Sequence, residues 1–333
     1  MGPGPSDVPA NILAAMSRPT IGHLDPEFLK IMDQIKEMTR SLLGTTNQMT
    51  MPMSGTGSAG METVFVNLIE PGDKVLVCVN GVFGGRMVDV AERCGATVTV
   101  VPGDWGRAFT IDQIKAVANA DYKIIAIVHA ETSTGVLQDL TGLRELADAH
   151  GALLLVDAVT SVGGLAVEMD KYGIDALYTG TQKCLSCPPG LAPISLSDRA
   201  VSVLENRSTK VASWYLDLSM IRNYWGDQRS YHHTAPINML YALHEALRTA
   251  VNEGLVVREA RHRLNADALG AGLEAMGLTR PVPANERLPP LTVVTAPEGI
   301  NEGEIRKILL SQYNVEIGGG LGALKGKVWR IGL

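Results

Sequence analysis

Short apolar runs, separated by amphipathic stretches, recur along most of this chain. The runs are KVLVCVN (74–80), TVTVVPG (97–103), YKIIAIVHA (122–130), ALLLVDA (152–158), DALYTGT (175–181) and LAPISLS (191–197). Most are rich in Val, Ile and Leu, and all are short enough to be strands buried on both faces, the last of them a candidate antiparallel strand. The segments between them carry apolar residues at helical spacing. Residues 81–95 and Thr110–Asn119 predict helices, the latter opened by Thr110 as N-cap, and Thr141 opens another that stops at Gly151. Before the first run, Phe28, Ile31, Met32, Ile35, Met38 and Leu42 mark a helix ending at Gly44. A shorter helix spans Pro9 to Met16, after a Gly/Pro-rich arm. Strand-like residues reach Met53, and a helix is predicted from Met61 to Ile69 after the loop SGTGSAG (54–60). Strands alternating with helices mean a mostly parallel sheet covered on both sides.

The pattern changes after LAPISLS. Residues 199–235 read as irregular, with aromatics at Trp214, Tyr215, Tyr224, Trp225 and Tyr231. Two helical stretches follow, 237–254 and 255–277, and then a Pro-rich loop, 281–290. A compact α+β unit closes the chain: strand 291–297, helix 300–313, strand 314–320 and strand 327–333. The reading is a large domain, 1–253, with a short N-terminal arm, and a smaller C-terminal domain, 254–333.

Bulk composition narrows the function. The chain has 333 residues, 46% hydrophobic and 19% charged, with a net charge of −6. That is an ordinary folded protein with no basic surface for nucleic acid. No apolar run is long enough to span a bilayer, and no signal peptide is visible at MGPGPSDVP. The expectation is a soluble cytoplasmic protein without membrane partners. Cys78, Cys94, Cys184 and Cys187 are too few for a disulfide scaffold. Cys184 and Cys187 form a CxxC without further ligands at metal spacing, so they are read as packing residues and no metal site is expected.

Candidate chemistry lies at strand ends, where ligands collect in such sheets. Thr132, Asp157 and Lys183 each close an apolar run. Lys183 is followed by Pro188, Pro189 and Gly190, which hold a bend. It is either an exposed lysine beside a strand end or one able to form an imine with a carbonyl compound. Asp157 follows four apolar residues, and a buried carboxylate there stays charged only beside a strong partner. Loop 54–60 feeding a helix N-terminus is an anion-binding arrangement, or else a plain strand–turn–helix junction. It matches neither GxGxxG nor GxxxxGK[ST]. An imine lysine, a carboxylate able to pair with a ring nitrogen and a phosphate loop together describe a pyridoxal phosphate site.

The motifs SGTGSAGMET (54–63), NGVFGGR (80–86), HAETSTGV (129–136), LLLVDAVTSVGG (153–164), GIDALYTGTQKCLSCPPGLAPIS (173–195), YHHT (231–234) and GKVWRIGL (326–333) carry a resemblance over nearly the whole chain. It resembles the class V aminotransferases of the alanine–glyoxylate and serine–pyruvate type. The resemblance implies the pyridoxal phosphate fold type I, with a seven-stranded, mostly parallel sheet. It implies Lys183 as the Schiff-base lysine, Asp157 on the pyridine nitrogen, Phe83 stacking on the ring and Thr132 and Val159 against it. Thr56, Gly57, Ser58 and Gln182 match the phosphate contacts. Tyr231 and Thr234 match phosphate contacts given by the other subunit of a homodimer, and Arg330 matches the arginine that binds the substrate carboxylate. The implied reaction is transamination of alanine or serine with glyoxylate or pyruvate, ping-pong through pyridoxamine phosphate. Alternatives are ureidoglycine as donor, or a catalytically weak cofactor-binding relative. His232 and His233 are read as loop or interface polarity. Relatives usually continue beyond the RIGL motif, so the small domain is expected to be short.

Overall fold

The computed structural model describes residues 2–333. Two helices precede the sheet, α1 (Ala10–Met16) and α2 (Pro26–Leu43). The start of α2 is fixed by Asp25, whose carboxylate accepts the Glu27 amide at 2.8 Å, and by Pro26 in the first turn. It stops at Gly44, which is left-handed (φ 64°). The sheet then builds up from β1 (Met49–Ser54), α3 (Gly57–Leu68), β2 (Lys74–Val79), α4 (Val82–Arg93), β3 (Thr97–Pro102), α5 (Ile111–Val117) and β4 (Ile124–Val128). A small hairpin, β5 (Ala130–Glu131) with β6 (Val136–Leu137), follows, then α6 (Leu143–Ala149), β7 (Leu153–Asp157), β8 (Ala176–Tyr178) and β9 (Leu191–Leu196).

Seven strands form the main sheet in the order β1-β9-β8-β7-β4-β2-β3. The pairs β8–β7, β7–β4, β4–β2 and β2–β3 are parallel. Strand β9, the candidate antiparallel strand, runs antiparallel to both β1 and β8. Strands β4, β7 and β9 are buried along their whole length, which is what helices on both faces of a parallel sheet produce. Pro52 of β1 faces Pro193 of β9. Neither has an N–H; on the other side of β9 the Thr179 amide donates to the Pro193 carbonyl at 2.9 Å, and Pro193 has no amide to return that bond.

Three expectations need correcting, the last of them in the smaller sheet. Helix α3 begins at Gly57, not Met61. Its first turn is small because it lies against β9: a Cβ on Gly60 would sit 2.9 Å from the Ala192 Cβ. Residues 199–235 are not irregular throughout. They contain α7 (Asp198–Glu205, capped by Ser197) and α8 (Leu218–Trp225, capped by Asp217). Helix α9 (Ile237–Glu253) packs beside α1 and α2, with Phe28 edge-on to Tyr241 at 6.5 Å.

Helix α10 (Leu255–Ala275) leads to a second sheet of β10 (Leu291–Thr295), β11 (Gly318–Gly319) and β12 (Val328–Gly332), in the order β10-β12-β11, with α11 (Glu302–Tyr313) beside it. The predicted strand 314–320 shrinks to two residues, because three consecutive glycines offer little to pack. A separate small core of Leu273, Val294, Ile317, Trp329 and Ile331 lies under this sheet. No helix among the described residues is long and apolar enough to cross a membrane.

Candidate active site

A cleft of about 120 Å³ opens at the C-terminal ends of the parallel strands. Gly57, Ser58, Phe83, Thr132, Asp157, Val159, Gln182 and Lys183, all chosen from the sequence, line it, together with Met61, Arg86, Ala130 and Thr160. They arrive from neighbouring strands. Gly57 and Ser58 start α3 after β1, Lys183 lies in the turn between β8 and β9, Asp157 ends β7, Thr132 follows β4, and Phe83 follows β2.

Asp157 is buried. Its Oδ1 accepts the Val159 amide at 2.9 Å and its Oδ2 accepts the Tyr178 hydroxyl at 2.7 Å. Both donors are neutral, and among the described residues no side-chain cation pairs with the carboxylate. Burial therefore pushes its pKa up to about 6, against the lowering effect of the two hydrogen bonds. Tyr178 is itself pushed well above its ordinary value, first by burial and then by the Asp157 charge.

Lys183 is half-buried, where an exposed lysine is one reading of the sequence. Its Nζ donates to the Pro3 carbonyl at 2.6 Å. The Ser6 hydroxyl donates to the Lys183 carbonyl at 2.9 Å, so the N-terminal arm is tied to the lysine turn. Burial lowers the lysine's pKa, and the nearby Arg330 charge lowers it further, which raises the share of neutral, nucleophilic amine. Arg330, on β12, is buried. It donates from Nε to the Gly319 carbonyl at 2.7 Å and from Nη1 to the Thr132 carbonyl at 3.2 Å.

Thr56 is the exposed N-cap of α3 and makes no side-chain cap. The amides of Gly57 and Ser58 have no hydrogen-bond partner among the described residues. Nor has the buried Gln182 Oε1. Phe83 carries Arg86 over its ring at 5.0 Å. Tyr231 and Thr234 are exposed and do not line this chain's own cleft. They share a hydrogen bond of 3.4 Å. Their neighbours are ordered: His232 stacks on Trp214 at 4.4 Å, and His233 bonds Ser54 Oγ at 2.9 Å, beside the 54–60 segment. Cys187 lies in the main core and the Cys184 thiol donates to the Thr160 carbonyl at 3.1 Å. Burial raises both thiols, to about 12 and about 11, so neither is a ready thiolate.

Several residues of the site did not stand out in the sequence. Tyr178 lies inside a strand that looks uniformly apolar. Arg258 reaches in from α10, donating to the carbonyls of Gly163 (2.6 Å) and Cys184 (2.7 Å). Glu131 is buried in the turn beside Thr132. One acid followed by three hydroxyl residues, in HAETST, is the one local signal for it.

A fold of this kind, with an amine, an unpaired buried carboxylate and free amide donors meeting in one cleft, defines a pyridoxal phosphate enzyme. The residues fit that cofactor. Asp157 lacks a cation that a protonated ring nitrogen supplies, and the amides of Gly57 and Ser58 lack an anion that a phosphate supplies. The chain belongs to the class-V aminotransferase family, whose model matches residues 8–325. It is an aminotransferase, and its cofactor is pyridoxal phosphate.

It is similar to the (S)-ureidoglycine–glyoxylate transaminase of Bacillus subtilis, at 40% identity over all of this chain and 84% of that protein. It is similar to the alanine–glyoxylate aminotransferase of Rattus norvegicus, at 42% identity over all of this chain and 82% of that one. The crystal structure of the alanine–glyoxylate aminotransferase of Nostoc sp. superposes with a TM-score of 0.98 at 47% identity, over all of this chain and 89% of that one.

Proposed function

We propose that this aminotransferase moves the amino group of a small amino acid, alanine or serine, to glyoxylate or pyruvate. The observation that carries the reading is that Lys183 and Asp157 line one cleft, with Arg330 beside it on the carbonyl of the cleft residue Thr132. Relatives named for alanine–glyoxylate transfer support the choice of substrates. Ureidoglycine is the second donor we consider, because the Bacillus subtilis relative is named for it.

Pyridoxal phosphate, when bound, withdraws electrons from the substrate Cα and so acidifies its proton. The remaining work falls to the chain. The Lys183 Nζ holds the cofactor's carbonyl carbon, and once freed it takes and returns the Cα proton as general base and acid. Its half-buried position favours the neutral amine that both tasks need. Asp157 keeps the ring nitrogen protonated, with Tyr178 and the Val159 amide fixing the carboxylate. Gly57, Ser58, Thr56 and Gln182 hold the phosphate, with Phe83, Thr132 and Val159 bounding the ring. The Arg330 guanidinium, held on two backbone carbonyls, receives the substrate carboxylate. Tyr231 and Thr234 serve the phosphate site of a second copy, so the working unit is a homodimer. Their exposure outside their own cleft supports this. We place the enzyme in the cytoplasm, and divide the chain into a cofactor-binding domain, 1–253, and a small domain, 254–333.

The test is borohydride reduction of the holoenzyme with peptide mapping, alongside half-reaction rates for alanine, serine and ureidoglycine. The cofactor should be fixed to Lys183, and Lys183→Ala should lose on the order of 10²–10⁴-fold in turnover. Label on another residue, or undiminished turnover by the variant, refutes the site. A rate with ureidoglycine far above those with alanine and serine replaces the donor.

A further inference from the structure

Helix α4 has Gly81 at its N-cap, which has no side chain to cap it. Its orphan amides are instead satisfied from the turn after β4. The Ser133 Oγ accepts the Val82 amide at 2.9 Å, and the Glu131 Oε2 accepts the Phe83 and Gly84 amides at 3.0 and 3.3 Å. The other carboxylate oxygen, Oε1, accepts the Ser133 amide at 3.0 Å and the Ser133 hydroxyl at 2.6 Å. Both oxygens are occupied, Glu131 is 1% exposed, and burial raises its pKa against the lowering effect of these bonds. A charged group so deep persists only with such a donor set and with the positive end of a helix to face.

The cap also dictates its neighbours. A Cβ on Gly81 would lie 2.3 Å from Glu131 Cδ, so glycine there is the condition for the carboxylate's approach. The two helix amides it grips include that of Phe83, a cleft residue. The next residue in its own turn, Thr132, lines the cleft and gives its carbonyl to Arg330. One buried carboxylate thus joins the aromatic wall of the cleft to the turn that steadies the substrate arginine.

We propose that Glu131 is a positioning residue of the cofactor site. Capping α4 from outside, it sets Phe83 relative to Thr132, and with Thr132 the carbonyl that steadies Arg330. The inference rests on the assignment of this cleft to the cofactor and of Arg330 to the carboxylate.

The experiment compares wild type, Glu131→Gln and Ser133→Ala. Three quantities are measured: affinity of the cofactor-free protein for pyridoxal phosphate, visible circular dichroism per mole of bound cofactor, and KM and kcat for alanine. Glu131→Gln keeps the shape and loses the charge. It should bind the cofactor about tenfold more weakly, the order lost with one hydrogen bond to a charged group. It should show weaker visible dichroism, and its KM should rise by about threefold or more as the Thr132 carbonyl that steadies Arg330 shifts, while kcat falls. Ser133→Ala should move affinity and dichroism in the same direction by less, and carries the test if the glutamine variant does not fold. Variants that melt earlier but match wild type in affinity, dichroism, KM and kcat overturn the proposal, since Glu131 is then only a helix cap. A wild-type holoenzyme with no visible dichroism overturns the assignment of the cleft itself, whatever the variants do.

Discussion

Asp157 holds a charge where the protein alone gives it little reason to. With its carboxyl raised to about 6 by burial, the folded chain binds a proton more readily than the unfolded one. Its contribution therefore favours folding at low pH and is lost as the pH climbs through about 6, leaving a cost of roughly 3 kcal/mol in the cofactor-free protein at neutral pH. Asp157→Asn keeps an acceptor for the Val159 amide and a partner for Tyr178. The cofactor-free variant should melt higher than wild type at pH 7.5, with the gain vanishing near pH 4, and should bind and use the cofactor poorly. Melting curves at the two pH values, with a cofactor titration, check both halves. Asp157 was legible in the sequence because one acid closing four apolar residues is conspicuous. Tyr178 was not, because a tyrosine in a buried strand looks like core until its hydroxyl is seen on the carboxylate.

Among the elements, strands and long helices followed directly from hydrophobic period, whereas the starts of helices near the cleft did not. The glycines at the head of α3 read as loop because glycine is a poor helix former. They are needed there for close packing on β9, a tertiary reason that no local pattern contains. Helices α7 and α8 are too short for periodicity to declare itself over the aromatic residues around them. Arg258, in the first turn of α10, is a contact of the same hidden kind. It pairs with Glu253 at 2.7 Å and spends its other donors on the turn after β7 and on the lysine turn. Arg258→Met fills similar volume and loses those bonds, leaving Glu253 to Arg261. The variant should lose about 2–3 kcal/mol of stability, read by denaturant unfolding. Its cofactor should also be more readily displaced from Lys183 by hydroxylamine, because the Cys184 carbonyl beside the lysine is no longer held.

For the molecule as a whole, acid is the condition that separates its buried groups. Burial pushes His129 and His262 each down to about 4, from an ordinary value of 6.5. A histidine lowered in this way supports the fold above about pH 6.5 and withdraws that support as the pH falls toward 4. Asp157 acts in the opposite sense over much of the same window. With two groups against one, these three residues make the cofactor-free protein less stable from pH 6.5 down to pH 4. His262→Asn should flatten the fall in melting temperature between pH 7 and pH 5, and an unchanged slope would show that other groups govern it. The two-sheet architecture was readable from the alternation of runs. Which residues meet across 198 positions of sequence, as Arg330 and Thr132 do, was not, because only the folded chain brings those strands together.

The walls of the cleft come one by one from adjacent members of the main sheet: β1 through α3, the β8–β9 turn, β7, β4, and β2 through α4. Neighbouring strands stand about 4.8 Å apart and slip past each other only in whole-residue steps. A chain with any one of these strands out of register therefore presents a cleft with one wall missing or turned away. Pyridoxal phosphate is in this sense a gauge laid across the assembled sheet. A refolded sample can carry native amounts of helix and strand and still fail to colour, and the yellow of the bound cofactor measures the fraction in which every strand has found its place.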